Sequence, residues 1–187
     1  MNATLTIAKL VIWLTLCLTL GWLVAGCAST RLPTPASNTR LGEAQAMANR
    51  VTAHYQKPPV TVKTTDAARH AFYWLGLVER IIYLPNSHLA PGYAMLEETM
   101  AHELAHHLLG HGQGTNAFER HANVKSVEIL AYMMGLSEQE AFERIARFLS
   151  RTGRTRFHPG GCAEVAPVLK AYPQYRHLAG LCARLHS

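Results

Sequence analysis

Charged residues are scarce in this chain of 187 residues: they make up 16% of it, against 49% hydrophobic residues. So little charge beside so much apolar side chain is typical of a globular protein and excludes a largely disordered one. The sequence has no internal repeats. Its basic residues are not interleaved with aromatic ones, so nothing in it argues for nucleic acid as a partner. The net charge of +6 is spread along the chain, and net charge alone is weak evidence about partners.

The N-terminal segment has the fewest charges. Lys9 is the only charged residue before residue 27, and an apolar run follows it over residues 10–26. The run ends in Val24-Ala25-Gly26-Cys27, which resembles the lipobox of bacterial lipoprotein signal peptides. We therefore expect residues 1–26 to be a lipoprotein signal peptide and Cys27 to carry a diacylglycerol. The alternative is an uncleaved N-terminal membrane anchor, because about 17 apolar residues is the short limit of a spanning helix.

Both interpretations hold the rest of the chain at a membrane, outside the cytoplasm. For a lipoprotein we expect the bacterial cell envelope, with the chain facing the periplasm. Ala28 after the acylated cysteine favours the outer membrane. Residues 27–40 are polar and contain Pro33 and Pro35, so they predict a flexible lipidated tether. Residues 41–187 are expected to form one domain.

Cysteine is rare too, with four in the chain. Cys17 lies in the predicted signal peptide and Cys27 is the predicted acylation site. Cys162 and Cys182 remain as an even pair in an oxidising compartment. We predict that they form a disulfide, which would close a loop of about 20 residues and contribute roughly 3 kcal/mol. The alternative is two buried free thiols.

The hydrophobic pattern predicts a small sheet early in the chain and helices later. A helical spacing over residues 41–56 precedes strand-like alternation over residues 60–64. Aromatic and β-branched residues at 71–75 and 80–84, with a turn near Gly76, suggest a hairpin. Helices are then expected over 92–109, 117–134, 137–150 and about 167–171. Glycines at 110 or 112 and at 135 would end the first two, and a capping box from Ser137 to Glu140 would start the third. This order predicts one α+β domain.

The segment His102-Glu103-Leu104-Ala105-His106 is an H-E-x-x-H pattern within the first of these helices. At ~100° per residue, the two histidines lie about 40° apart on one helix face, with Glu103 beside them. Two imidazoles and a carboxylate in this arrangement are typical of a zinc ion and a water that the carboxylate activates. Leu96, Met100, Leu104 and Leu108 form another face, which we expect to pack against the sheet.

Two histidines leave a catalytic zinc one protein ligand short. Glu119, at the start of the next helix, is the predicted third ligand. Asn123, one turn later, is predicted to hold Glu119 or a ligand imidazole. His111 is the competing third ligand; on a continuing helix it would point away from His102, and a local turn or capping role is its other interpretation.

Four nearby polar residues have interpretations away from the metal. His107 is expected to be a hydrogen-bonded interior or boundary histidine. His121 is placed at the surface or in a cleft, and Glu128 is expected to be a solvated charge. Glu98, one turn before His102, either bonds a histidine or faces solvent.

The segment from Ala101 to His106, followed by Leu109-Gly110-His111-Gly112, resembles the HtpX/CAAX-prenyl-protease family of gluzincin metallopeptidases. The closest type is that family's small periplasmic lipoproteins. The segment from Glu119 to Asn123 is similar to the family's E-x-E-A-D segment, whose first glutamate ligates zinc. Asn123 stands where the family has aspartate, and Glu-x-x-Ala-Asn is similar to the ImmA/IrrE-type metallopeptidases. His70-Ala71-Phe72 is similar to the family's approach to its edge strand.

The resemblance covers about residues 41–150. It implies a minimal zincin-like fold, with one Zn2+ per chain held by His102, His106 and Glu119. His158-Pro159 is similar to a His-Pro pair of the family, which makes His158 a candidate for stabilising an oxyanion.

These patterns together predict a membrane-tethered zinc metalloendopeptidase that hydrolyses peptide bonds of envelope proteins. Zinc would lower the pKa of its water to about 7, and Glu103 would act as the general base. The expected partners are a protein or peptide substrate, extended along the edge strand of the hairpin, and membrane lipid through acylated Cys27. The alternative function is a zinc-bound envelope chaperone or assembly factor with little turnover. A third interpretation makes the histidines ordinary helix residues.

Overall fold

A computed structural model of the chain describes residues 35–112, 114–155 and 158–180. The predicted signal peptide, Cys27 and Cys182 lie outside the described residues. The helices are α1 (Pro35–His54), α2 (Leu96–Leu109), α3 (Asn116–Met134), α4 (Glu138–Ser150) and α5 (Cys162–Ala171). The strands are β1 (Thr61–Thr65), β2 (Phe72–Leu75) and β3 (Arg80–Pro85). Two short 3-10 helices are η1 (Asn86–Leu89) and η2 (Pro173–Ala179). The described part of the chain is therefore α+β, as predicted, and it contains no helix both long enough and apolar enough to cross a bilayer.

The three strands form one sheet in the order β1-β3-β2. β1 runs parallel to β3, and β2 pairs with β3 antiparallel as the predicted hairpin. The backbone N–H of Gly76 donates to the carbonyl of Glu79 at 2.9 Å, which closes the hairpin turn. Hydrogen-bonded pairs alternate along an antiparallel ladder, so the backbone groups of Tyr73 and Leu75 face away from β3. Within the described residues no strand pairs with this outer side of β2, which is the free edge of the sheet.

Helix α2 lies at the centre of the domain, packed against α3, the sheet, α1 and α4. The predicted apolar face of α2 is buried: Leu96, Met100, Leu104 and Leu108 all belong to the hydrophobic core. The face that carries His102 and His106 is buried as well, because α3 covers it. A helix buried on both faces holds its side chains in fixed positions.

Several boundaries differ from the sequence prediction. α1 begins at Pro35, so residues 35–40, predicted as part of the tether, are helical; proline suits the first position of a helix. α2 begins at Leu96 rather than near residue 92, because Pro91-Gly92 favours a turn. α5 begins at Cys162, and Pro167 lies inside it.

The local stop and start signals are confirmed. Gly110 and Gly135 follow α2 and α3 in the left-handed conformation, with φ of 66° and 64°. Ser137 and Glu140 form the predicted capping box at the start of α4. Cys162 is in a disulfide, and its predicted partner Cys182 lies outside the described residues.

Candidate metal centre

Three predicted ligands converge at one point between α2 and α3. His102 and His106 lie one turn apart on α2, and Glu119 lies in the first turn of α3, which Thr115 caps through its side chain. The atoms His102 Nε2, His106 Nε2 and Glu119 Oε2 form a triangle whose three edges are each 3.2 Å. All three residues are buried. The structure therefore brings together three donors that lie up to 17 residues apart in the chain.

The triangle has the dimensions of one face of a tetrahedral metal site. An ion with bonds of ~2.0–2.1 Å to nitrogen and oxygen separates neighbouring ligand atoms by about 3.3 Å. An ion bonded to all three atoms at that distance would leave a fourth position open. The donor set therefore fits a small divalent ion.

His158 is a fourth donor at the same place. His102, Glu119 and His158 also form a group whose donor atoms all lie within 4.8 Å of one another, close enough to hold a metal ion together. Nε2 of His158 is 3.4 Å from Oε2 of Glu119. The triangle with His106 is tighter, so we place His158 beside the open position. From there it can act as a further ligand or as a donor to a group bound at the metal.

The surroundings of Glu119 favour the ionised form of its carboxyl group. Burial opposes its ionisation, but hydrogen bonds from His102 and His106 outweigh burial and hold the pKa of this carboxyl well below its usual range. The ionised Glu119 is the anionic member of the donor set.

Glu103 lies beside the donor triangle without belonging to it. Burial raises the pKa of Glu103 to about 7; Glu119 adds to the rise, while His106, His158 and a hydrogen bond from the backbone N–H of Tyr73 oppose it. A carboxyl group with a pKa near neutrality can both accept and return a proton. The contact with Tyr73 also places this carboxyl group directly beneath the free edge of β2.

A third carboxyl group, that of Glu164 on α5, holds His158 in place. Oε1 of Glu164 is 3.2 Å from Nδ1 of His158, and Asn123 Nδ2 donates to Glu164 Oε2 at 2.8 Å. Burial lowers the pKa of His158, but Glu164 and Glu119 outweigh it and raise that pKa. His158 is thereby favoured as a charged hydrogen-bond donor at the metal centre.

The prediction for Asn123 needs correction. Its side chain holds Glu164 rather than Glu119 or an α2 imidazole, because it points from α3 towards α5. Asn123 and Glu164 are both buried, so an amide donor suits this place and an aspartate would set two carboxylates against each other. Nothing in the sequence singles out Glu164, which stands in no motif.

His111 contacts a predicted ligand instead of pointing away from the site. The left-handed Gly110 ends α2, and the backbone N–H of His111 donates to the carbonyl of His106 at 3.0 Å. Nδ1 of His111 is 3.1 Å from Nδ1 of His106, and its ring stacks on Phe118, with centroids 4.3 Å apart. The interpretation that turned His111 away from His102 applies only to a helix that continues past Gly110, and the left-handed Gly110 reverses the chain instead. The alternative of a local turn agrees with this, but no spacing in the sequence indicates the contact with His106.

His111 is well suited to accept a hydrogen bond from His106. Burial and the neighbouring His106 lower the pKa of His111 to about 4, so the ring is neutral. If Nε2 of His106 binds a metal, its Nδ1 carries the proton and His111 Nδ1 must be the acceptor.

The prediction for His107 is confirmed. This residue is buried, with Nε2 2.8 Å from the carbonyl oxygen of Pro58 and Nδ1 3.2 Å from the hydroxyl of Tyr73. His121 is exposed, and its ring centroid lies 6.0 Å from that of His111.

Glu98 differs from both of its predicted roles. It is buried and accepts a hydrogen bond from Arg144 Nε at 2.6 Å, which links α2 to α4. Glu128 is half exposed, as a solvated charge should be, and it bonds Tyr55 and Lys125.

Two cavities meet at His102, Glu103 and His158. The larger one, of about 380 Å³, runs along Phe72, Tyr73 and Trp74 of β2 and reaches His106 and Glu119. The smaller one, of about 160 Å³, extends the other way, towards Met95, Phe148 and Arg151. The metal centre therefore opens on a cleft that continues to both sides.

Comparison of the chain with protein-family models, with curated proteins and with solved structures finds no match. The functional argument therefore depends on the motif and on the geometry of the site.

Proposed function

We propose that this chain is a zinc metalloendopeptidase with a zincin-like fold, in which His102, His106 and Glu119 hold the zinc ion. The observation that carries the proposal is the donor triangle of 3.2 Å edges. Two histidines and a glutamate with an open fourth position form a ligand set of catalytic zinc sites. The buried Glu103 beside the triangle supplies a carboxyl group that can act as a general base, which a purely structural zinc site does not need.

In the proposed reaction, Glu103 accepts a proton from the attacking water and later returns it to the leaving amine. Zinc, when bound, supplies Lewis-acid chemistry and a water of lowered pKa. His158, held by Glu164, donates a hydrogen bond to the oxyanion that develops on the scissile carbonyl. The burial of Glu103 and His102 keeps bulk water away from these charges.

The free edge of β2 supports an extended peptide as the substrate. The outward carbonyl of Tyr73 and the outward N–H and carbonyl of Leu75 can pair with an added strand, as in β-augmentation, while the N–H of Tyr73 donates to Glu103. Such a strand would lie over the larger cavity, with its backbone next to Glu103. A single extended segment can thus reach both the edge and the metal centre.

The proposed setting is the bacterial cell envelope, with acylated Cys27 as the membrane anchor and the outer membrane favoured. Mass spectrometry of the membrane-bound protein tests it: a diacylglyceryl group on an N-terminal Cys27 is expected. An intact N-terminus from Met1 would favour the uncleaved anchor.

The decisive test of the function is the variant Glu103→Gln. We expect it to retain zinc and lose cleavage of casein, because the amide cannot accept the proton. Glu43→Gln, at an exposed position on α1, is the matched control and should cleave as wild type does. Casein cleavage by Glu103→Gln at the wild-type rate would contradict the proposed mechanism.

One observation also suits the alternative function: apolar side chains are exposed along β2. A zinc-bound chaperone or assembly factor with little turnover could use them to hold client proteins. Full rescue of a knockout strain by Glu103→Gln would favour that function over hydrolysis.

A further inference from the structure

Exposed apolar side chains are concentrated in one short segment of this protein. Eight large hydrophobic side chains are exposed in the described part of the chain, and five of them lie between residues 72 and 78. They are Phe72, Trp74, Leu75, Leu77 and Val78. We propose that this segment, the apolar hairpin (residues 72–78), is a docking surface for an extended apolar stretch of polypeptide. The proposal rests on the proposed function, since the docked chain would be the substrate.

The turn of the apolar hairpin exposes two apolar side chains to solvent. Leu77 and Val78 are its two central residues, between the bonded pair Gly76 and Glu79. Neither Leu77 nor Val78 has a positive φ, so this turn does not require the glycine or asparagine that other hairpin turns need. The two side chains are 106% and 89% exposed, so they contribute no packing to the domain. Large apolar side chains that are exposed next to one another without packing are typical of a binding surface.

The apolar hairpin is continuous with the metal centre. Phe72 and Trp74 line the same cavity as His102 and Glu103. A polypeptide paired with the outer edge of β2 would leave that cavity and pass directly to Leu77. Tyr73 touches Glu103, and Leu77 lies four residues further on, about 13 Å along an extended chain. The docked apolar residues should therefore lie about four residues from the cleaved bond.

The contact of Arg40 and the apolar hairpin lie at opposite ends of β3. Arg40, in the second turn of α1, donates to the carbonyl of Ala90 at 3.1 Å, just after η1. That contact lies beyond the end of β3 opposite to the hairpin turn. The apolar hairpin is instead continuous with the cavity of the metal centre, which favours polypeptide over lipid as its occupant.

The test measures binding without turnover, with full-length Glu103→Gln as the background. The probe is a fluorescein-labelled, unstructured 16-residue peptide with leucine and valine at alternate positions, and its reference carries serine there. Leu77→Ser with Val78→Ser should weaken binding of the apolar peptide about tenfold, with no effect on the serine peptide. Met134→Ser, exposed at the end of α3, is the matched control and should bind as the background does.

Leu77→Asn with Val78→Gly replaces both apolar side chains by residues that are common in turns, so it should keep the fold and lose affinity equally. Unchanged affinity in both double variants would overturn the proposal. The proposal would also be overturned if the double variants bound the peptide normally and bound only phosphatidylglycerol vesicles more weakly, because that result would assign the surface to lipid. If the apolar peptide binds as expected but wild type cleaves no peptide, the proposed function is refuted and the docking surface stands. If wild type and both double variants cleave a long apolar peptide as fast as a short peptide, the docking surface is refuted and the proposed function stands.

Discussion

The contact between His111 and His106 gives the sharpest prediction about metal affinity. Replacing His111 by phenylalanine keeps an aromatic ring in the same buried place, able to stack on Phe118, and fills nearly the same space. It removes only the acceptor that lies 3.1 Å from Nδ1 of His106. His106 would then carry a buried N–H without a partner while its Nε2 faces the metal.

The magnitude follows from two estimates that agree. Loss of a hydrogen-bond partner behind a metal ligand typically weakens metal binding about 10- to 100-fold, or about 1.4–2.7 kcal/mol. A buried donor left without an acceptor costs about 1–3 kcal/mol. We therefore expect His111→Phe to bind zinc about 10- to 100-fold more weakly than wild type. His111→Gln keeps a carbonyl acceptor and should lose less.

The assay is zinc titration in competition with a chromophoric chelator, beside thermal unfolding of the chelated protein. The metal-free variants should unfold near the wild-type temperature, because the change acts on the bound state. His121→Phe, at an exposed position close by, is the control and should bind zinc normally. Wild-type affinity in His111→Phe would refute the reasoning, and so would equal losses in the phenylalanine and glutamine variants.

Three further predictions follow from the same contacts. Glu119→Ala should lose its zinc on dialysis, as measured by atomic absorption; unchanged zinc content would assign the third ligand to another donor. Asn123→Asp should lower the free energy of unfolding in denaturant by about 2–3 kcal/mol, because it buries a second carboxylate beside Glu164; a stability equal to wild type would contradict that contact. Arg144→Met should cost about 1–3 kcal/mol by leaving the buried Glu98 unpaired, and adding Glu98→Gln should restore part of the loss. If the double variant is no more stable than Arg144→Met, the pair does not act as described.

Local signals explain what could be predicted from the sequence. The capping box of Ser137 and the glycines at 110 and 135 act within one helical turn, so they mark helix ends whatever surrounds them. The spacing of His102 and His106 fixes their common face once the helix forms. The hairpin was predictable for a similar reason, since its two strands are joined by one short turn.

Contacts between distant segments explain what could not be predicted. Glu164 lies 41 residues from Asn123, and no pattern in either segment indicates the other. Arg144 bonds Glu98 across 46 residues of sequence, so the partner of that carboxylate depends on how α4 packs against α2. The position of β1 beside β3 required a parallel crossover, which the strand pattern alone does not specify.

Helix α2 buries twelve of its fourteen residues, and this has a consequence for how the site can change over evolution. Functional residues usually lie on loops, which tolerate insertion and substitution because little packs against them. Here the metal-binding pair lies in a segment where almost any substitution disturbs the core. New specificities in this protein can therefore arise at the hairpin and the surrounding loops, while α2 itself is constrained by folding as well as by chemistry.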